Sequence, residues 1–143
     1  DFPNKTVPNS PQVNWVQEIK FEGFHYDVLG LDSLAERTII PELIASKAKK
    51  AKLYGFKSPE GFAFHWAYEK RYQVKELENG IRVLIIRDSF GKNVLPFAKE
   101  LFKESLFIFD AWKYGLNEEI ILETKPDAVI FLTLEAYIDN LIE

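Results

Sequence analysis

The block Arg87-Asp88-Ser89-Phe90-Gly91 follows an apolar run, residues 81–86 (IRVLII), and precedes a stretch with helical spacing. A serine at such a strand-to-helix turn projects its hydroxyl from the edge of a sheet. Its own backbone N–H and those that follow point from a helix N-terminus at any oxygen bound there. Gly91 leaves room for close approach. This is the layout of a nucleophile, Ser89, with part of an oxyanion hole formed by the N–H groups of Ser89 and Gly91. The chemistry would be acyl transfer through a serine ester. The same residue types have a second use, because Ser or Asp after a strand also caps the following helix.

Other residues near the turn could complete a site. Asn93, four residues on from Ser89, faces the same way on a helix and could add a side-chain donor, or be an exposed surface amide. Asp88 could orient the loop or cap the helix. Arg87 reads as a structural salt-bridge partner. Glu135 ends the last apolar run at the same edge, as a site carboxylate or another cap. A serine hydroxyl is a poor nucleophile without a positioned base, and the chain has only two histidines, His25 and His65. His65 is nearer in sequence to the serine block and is the first candidate base.

These residues need elements to hold them. Residues 81–86 suit a strand buried on both faces. Val94, Phe97, Ala98, Leu101 and Phe102 fall at i, i+3, i+4, i+7 and i+8, which predicts an amphipathic helix burying all five. Residues 106–109 are a second apolar run. Residues 118–124 form a short helix with Asn117 as N-cap and Pro126 just past its end. Residues 128–134 (AVIFLTL) are a third buried strand, and 137–142 look helical. Alternating strands and helices are the grammar of βαβ units on a parallel sheet, whose working edge is where the strands end. The expected fold is therefore α/β, three-layer and flavodoxin-like, with a parallel sheet.

The first half is less patterned. Residues 1–12, with three prolines, read as an extended arm or linker, leaving 13–143 as the domain. Residues 13–28 fit a strand or an irregular segment. Gly30 with Asp32 or Ser33 predicts a helix start, and Leu34, Ile39, Ile40, Leu43 and Ile44 lie near helical spacing. Pro41 marks a break or a fresh first turn. The lysines between 47 and 52 read as a solvated helix C-terminus, or as an anion site. Phe62, Phe64, Trp66 and Tyr68 alternate, which predicts a strand with one aromatic face, either core or a wall for a sugar or another flat ligand.

Composition narrows the classes. The chain has 143 residues, 47% hydrophobic, which excludes disorder. No run reaches the ~20 apolar residues of a membrane helix. A net charge of −4 gives no bulk attraction to nucleic acid or anionic lipid. With no cysteine, disulfides and thiolate metal sites are excluded, and two histidines are too few for a histidine-rich metal site; no metal or cofactor is expected. The chain lacks methionine and begins with Asp1, so it reads as a processed product or a piece of something longer.

The ordered set Arg87-Asp88-Ser89-Phe90-Gly91, Pro96-Phe97 and Pro126-Asp127 resembles the SGNH hydrolase superfamily, in its alginate O-acetyltransferase-like (AlgJ/AlgX-type) branch. The resemblance covers residues 81–141. It implies Ser89 as nucleophile, and an O-acetyltransferase or acetylesterase working on acetylated carbohydrate or a small acyl ester in the cell envelope, periplasmic or extracellular. In that branch the aspartate and histidine partners come from an Asp-x-His motif upstream of the serine block. This chain has none, so the base would be His25 or His65, would come from a segment upstream, or would be missing. The alternative function is a non-catalytic carbohydrate-binding or scaffold domain of the same fold.

Overall fold

The computed structural model describes residues 11–20, 36–110 and 117–133. His25, Glu135, the helix start at 30–33 and the helix at 137–142 lie outside the described residues. The chain divides into two units, Gln12–Ala45, and Asp1–Pro11 with Ser46–Glu143.

The Gln12–Ala45 unit holds an antiparallel pair, β1 (Val13–Lys20) and β2 (Glu36–Leu43), in register from Val13↔Leu43 to Lys20↔Glu36. The Ile44 N–H closes its base on the Gln12 carbonyl at 3.3 Å. The helical spacing of 34–44 thus gives way to a strand. The β-branched run Thr38-Ile39-Ile40 is stiff at χ1 and favours strand over helix. Pro41 faces Trp15, and proline is tolerated because both strands of a two-stranded sheet are edges.

The other unit is built on a five-stranded sheet of order β3-β4-β6-β5-β7. Its strands are β3 (Lys49–Lys50), β4 (Glu69–Gln73), β5 (Arg82–Arg87), β6 (Glu104–Phe109) and β7 (Ala128–Leu132). The three apolar runs are strands as expected, and β5 pairs in parallel with both β6 and β7. The sheet as a whole is mixed rather than parallel, because β4 runs antiparallel to β6 and β3 antiparallel to β4. The link 74–81 between β4 and β5 is shorter than the roughly dozen residues a parallel crossover needs, while the links 88–103 and 110–127 are long enough and carry helices.

Alternation along the strands divides the core. Leu84, Ile86, Leu106 and Ile108 pack with Phe62, Tyr68, Phe109 and Ile120. Val83, Ile85 and Phe107 pack with Leu95 and Ala98. The first group includes residues of α1 (His65–Tyr68) and α3 (Glu118–Thr124), the second those of α2 (Gly91–Ala98). Asn117 caps α3 as its type predicts, its side-chain oxygen accepting the Ile120 N–H at 3.2 Å.

Three sequence expectations change here. Residues 62–68 are turns and the short α1, not a strand. Gly61 takes φ +77°, and the N–H groups of Phe62 and Ala67 bond locally to the Pro59 and Phe64 carbonyls, so they are not offered to a ladder. In α2 the buried residues are Gly91, Leu95 and Ala98. Val94 is exposed, Phe97 half-buried, and Leu101 and Phe102 lie beyond the helix end. The cause is Gly91, where a Cβ would meet Arg87 Cβ at 2.7 Å. The glycine must therefore be innermost, which turns positions i+4 and i+7 inward. Among the described residues it is β2, not a helix, that precedes the lysines; Lys49 and Lys50 form the exposed edge strand, where lysine discourages further pairing.

Glu104 anchors the β4–β6 pairing. Its carboxylate accepts from Arg71 Nε and Nη2 at 2.9 Å each, Gln73 Nε2 at 3.0 Å and the Tyr54 hydroxyl at 3.1 Å. Burial alone would raise its pKa, but these donors hold it below the ordinary 4.5. A depressed folded-state pKa gives stability that is present above the unfolded value and is lost as pH falls through the folded one. The expected result is that Glu104→Gln is less stable than the native chain at pH 7, and that the gap narrows as pH falls below about 4.5. Urea midpoints across that range check it; a gap independent of pH would contradict it.

Candidate functional site

Strand β5 lies between two parallel partners, so its carboxyl end is held from both sides. The Asp88 N–H continues the pairing to the Leu132 carbonyl at 3.1 Å. The chain then turns. Asp88 Oδ1 accepts the N–H groups of Phe90 at 2.8 Å and Gly91 at 3.1 Å, capping α2. The capping reading of the block thus belongs to Asp88. Ser89 is exposed and lines a cavity of about 390 Å³ with the loop 59–64 and Phe109.

The geometry redistributes the expected roles. The Gly91 N–H is spent on Asp88, which leaves Ser89's own N–H as the donor of this turn not engaged by that carboxylate. Gly91 is required by the Arg87 side chain beneath it, not by a ligand above it. Asn93 is exposed on α2 and does not line the cavity. Arg87 is no salt-bridge partner among the described residues. It donates from Nη1 to the Asp88 carbonyl at 2.9 Å and from Nη2 to the Ala67 carbonyl at 3.4 Å, and its guanidinium lies 4.3 Å from the Phe109 ring centroid.

His65 begins α1, just after the loop that lines the cavity. Its Nδ1 pairs with the Ser58 hydroxyl and its ring meets Phe62 edge-on at 6.1 Å. No hydrogen bond joins it to Ser89. Among the described residues no group of three or more His, Cys, Asp or Glu side chains is placed to hold a metal.

Sequence reading missed the cavity's other walls. Phe109 ends β6 beside β5, and topology alone brings it to Ser89. Glu60 and Gly61 drew no sequence expectation, yet both line the cavity. The aromatic run was found, but its placement needed the turn at Gly61. Phe62 packs edge-to-face against Phe109 at 5.5 Å and lines the cavity with it.

The sheet and the serine turn define a mixed α/β domain with its candidate site at the carboxyl ends of parallel strands. No family model matches the chain, and no curated protein matches it. Solved structures do. The chain is similar to Bacillus cereus PatB1 with a sulfonyl adduct, with a TM-score of 0.55 and 14% identity over 90% of this chain and 48% of that one. It is also similar to a DHHW family protein from Eubacterium siraeum, with a TM-score of 0.56 and 14% identity over 89% of this chain and 49% of that one. The likeness is one of fold, and the chain spans about half the length of these two structures. Among the described residues no helix is long and apolar enough to cross a membrane.

Proposed function

We propose that this chain is the nucleophile-bearing part of an SGNH-type serine acyl-transfer domain, three-layer and flavodoxin-like in plan, an O-acetyltransferase or acetylesterase on carbohydrate. The observation that carries the reading is Ser89: exposed, at the head of a strand paired on both sides, facing an aromatic-walled cavity, with helix capping left to Asp88. Its fold is similar to that of PatB1, whose structure holds a sulfonyl adduct, and this polysaccharide O-acetyltransferase-like fold supports the reading.

In the proposed reaction Ser89 Oγ attacks the ester carbonyl carbon and its proton passes to a base. The Ser89 N–H faces the oxyanion, the alcohol leaves, and the acyl group moves from Ser89 to a sugar hydroxyl or water. The base is His65, turned from Ser58, or His25, or a histidine of a segment upstream. The setting is the cell envelope, periplasmic or extracellular.

With His65 held by Ser58, the expected result is little or no turnover by the chain alone. Losing the base of a serine triad leaves roughly 10³–10⁴ over water, which is hard to detect on an acetyl ester. p-Nitrophenyl acetate hydrolysis by the chain and by Ser89→Ala should agree within about twofold; a clear difference would mean that one of the two histidines reaches Ser89, with His65 the first candidate. Slow stoichiometric labelling of Ser89 by a fluorophosphonate tests the nucleophile itself.

A second reading has its own observation. Trp66 is 78% exposed and meets Phe64, a cavity-lining ring, edge-on at 5.7 Å. Such a platform suits a sugar face in a non-catalytic binding or scaffold domain. Absent labelling, together with oligosaccharide binding that Trp66→Ala abolishes, would favour it.

A further inference from the structure

Arg87 is 2% exposed, yet no carboxylate pairs with it among the described residues, and its Nε has no hydrogen-bond partner. A buried charge of this kind is costly, and an apolar chain of equal volume is often as good or better for stability. What the guanidinium adds is geometry and charge. Its fork joins the Asp88 carbonyl, next to Ser89, to the Ala67 carbonyl in α1. Its Cζ lies over the ring of Phe109, which lines the cavity with Ser89. Its stem fills the space beneath Gly91. One side chain therefore ties together the serine turn, the helix following the aromatic loop, and the end of β6.

We infer that Arg87 is a positioning residue for Ser89, fixing the turn against the cavity wall and supplying a buried positive charge that favours negative charge on the serine oxygen. The inference rests on the nucleophile reading above. The charged and titratable groups around Arg87 come from its own turn and from β4. Asp88 and Tyr72 favour its charged form against the opposing effect of burial. Lys70 is pushed below its ordinary value by burial and then by Arg87. Lys70 on β4 thus lies within reach of the Arg87 charge.

The test uses the full chain and an alkyl fluorophosphonate. In that reaction the Ser89 Oγ–P bond forms, the P–F bond breaks, fluoride leaves and the hydroxyl proton passes to solvent. The rate of modification is followed by intact mass across pH. The native chain should be modified once, and Ser89→Ala not at all. Folded Arg87→Met should react at least tenfold more slowly, with its pH–rate profile displaced to higher pH. Arg87→Lys, which keeps the charge without the fork, should keep the native profile and recover part of the rate. If Arg87→Met does not melt cooperatively, Arg87→Lys decides: a slower rate with an unmoved profile supports the inference, and the native rate overturns it. A folded Arg87→Met with the native rate and profile overturns it. So do Met and Lys variants slowed equally with neither profile moved, the mark of packing alone. A native chain labelled no faster than Ser89→Ala overturns the nucleophile reading, and the inference with it.

Discussion

A Phe107→Ala chain is expected to lose roughly 3–5 kcal/mol of stability. Phe107 is 1% exposed on β6, the strand between β4 and β5. It packs with Val83, Ile85, Leu95 and Ala98, and meets the Tyr72 ring edge-on at 6.1 Å. Truncation removes the transfer energy of the ring and leaves a cavity bounded by two strands and a helix, which cannot close on it without breaking pairing. Domains are stable by about 5–15 kcal/mol in all, so the loss is a large share of the total. The urea midpoint should fall with little change in slope. Leu122→Ala, at a site 70% exposed, should stay within about 0.5 kcal/mol. Equal midpoints for the two variants would show that Phe107 is not a core residue.

The second large effect is expected at Glu69. This side chain is 7% exposed, and its carboxylate accepts three backbone N–H groups: Tyr54 at 2.7 Å on Oε1, and Gly55 at 2.9 Å and Phe56 at 3.1 Å on Oε2. Gly55 has φ +89°, a conformation open to glycine that lets consecutive N–H groups converge on one anion. The segment carries Tyr54 and Phe56 onto the main core. Glu69→Ala leaves three part-buried donors without an acceptor, at about 1–3 kcal/mol each when burial holds, so a loss of about 3 kcal/mol or more is expected. Glu69→Gln keeps one oxygen for Gly55 and Phe56 and turns its NH₂ toward the Tyr54 N–H, so its loss should be intermediate. Thermal melts of the three proteins check the order; a Gln variant worse than Ala would contradict it.

The parts legible in sequence were those whose signals are local. The run 81–86 needed no context to read as a two-face-buried strand, and Asn117 with Pro126 bounded α3 by capping and proline chemistry. The block around Ser89 placed the turn. What failed was decided by tertiary neighbours. The inward face of α2 is set by Gly91 against Arg87, a contact that periodicity cannot see. The strand alternation of 62–68 was overridden by the turn at Gly61, and the helical spacing of 34–44 by pairing with residues 13–20. The roles of the site residues changed for the same reason. Arg87 read as a structural salt-bridge partner because it follows a strand, but β5 is paired on both sides and its end is buried, and no carboxylate pairs with Arg87 among the described residues. Gly91 read as space for a ligand because its close approach to Arg87, four residues earlier, arises only from the way the chain turns after β5.

The central position of β5 also separates the cavity's two sides in time. Amides of a strand bonded on both edges open only when most of the fold opens, at free energies near the global value. Of the other lining segment, residues 59–64, Phe62 is buried in the core with Leu84 and Ile86 of β5, whereas Glu60, Gly61, Ala63 and Phe64 are exposed and the Phe62 N–H bonds only locally, to the Pro59 carbonyl. The strand that leads into Ser89 is therefore the steadier of the two sides. A ligand would be fitted by movement of the exposed residues of 59–64, on the nanosecond-to-microsecond scale of loops, against a turn anchored to that strand.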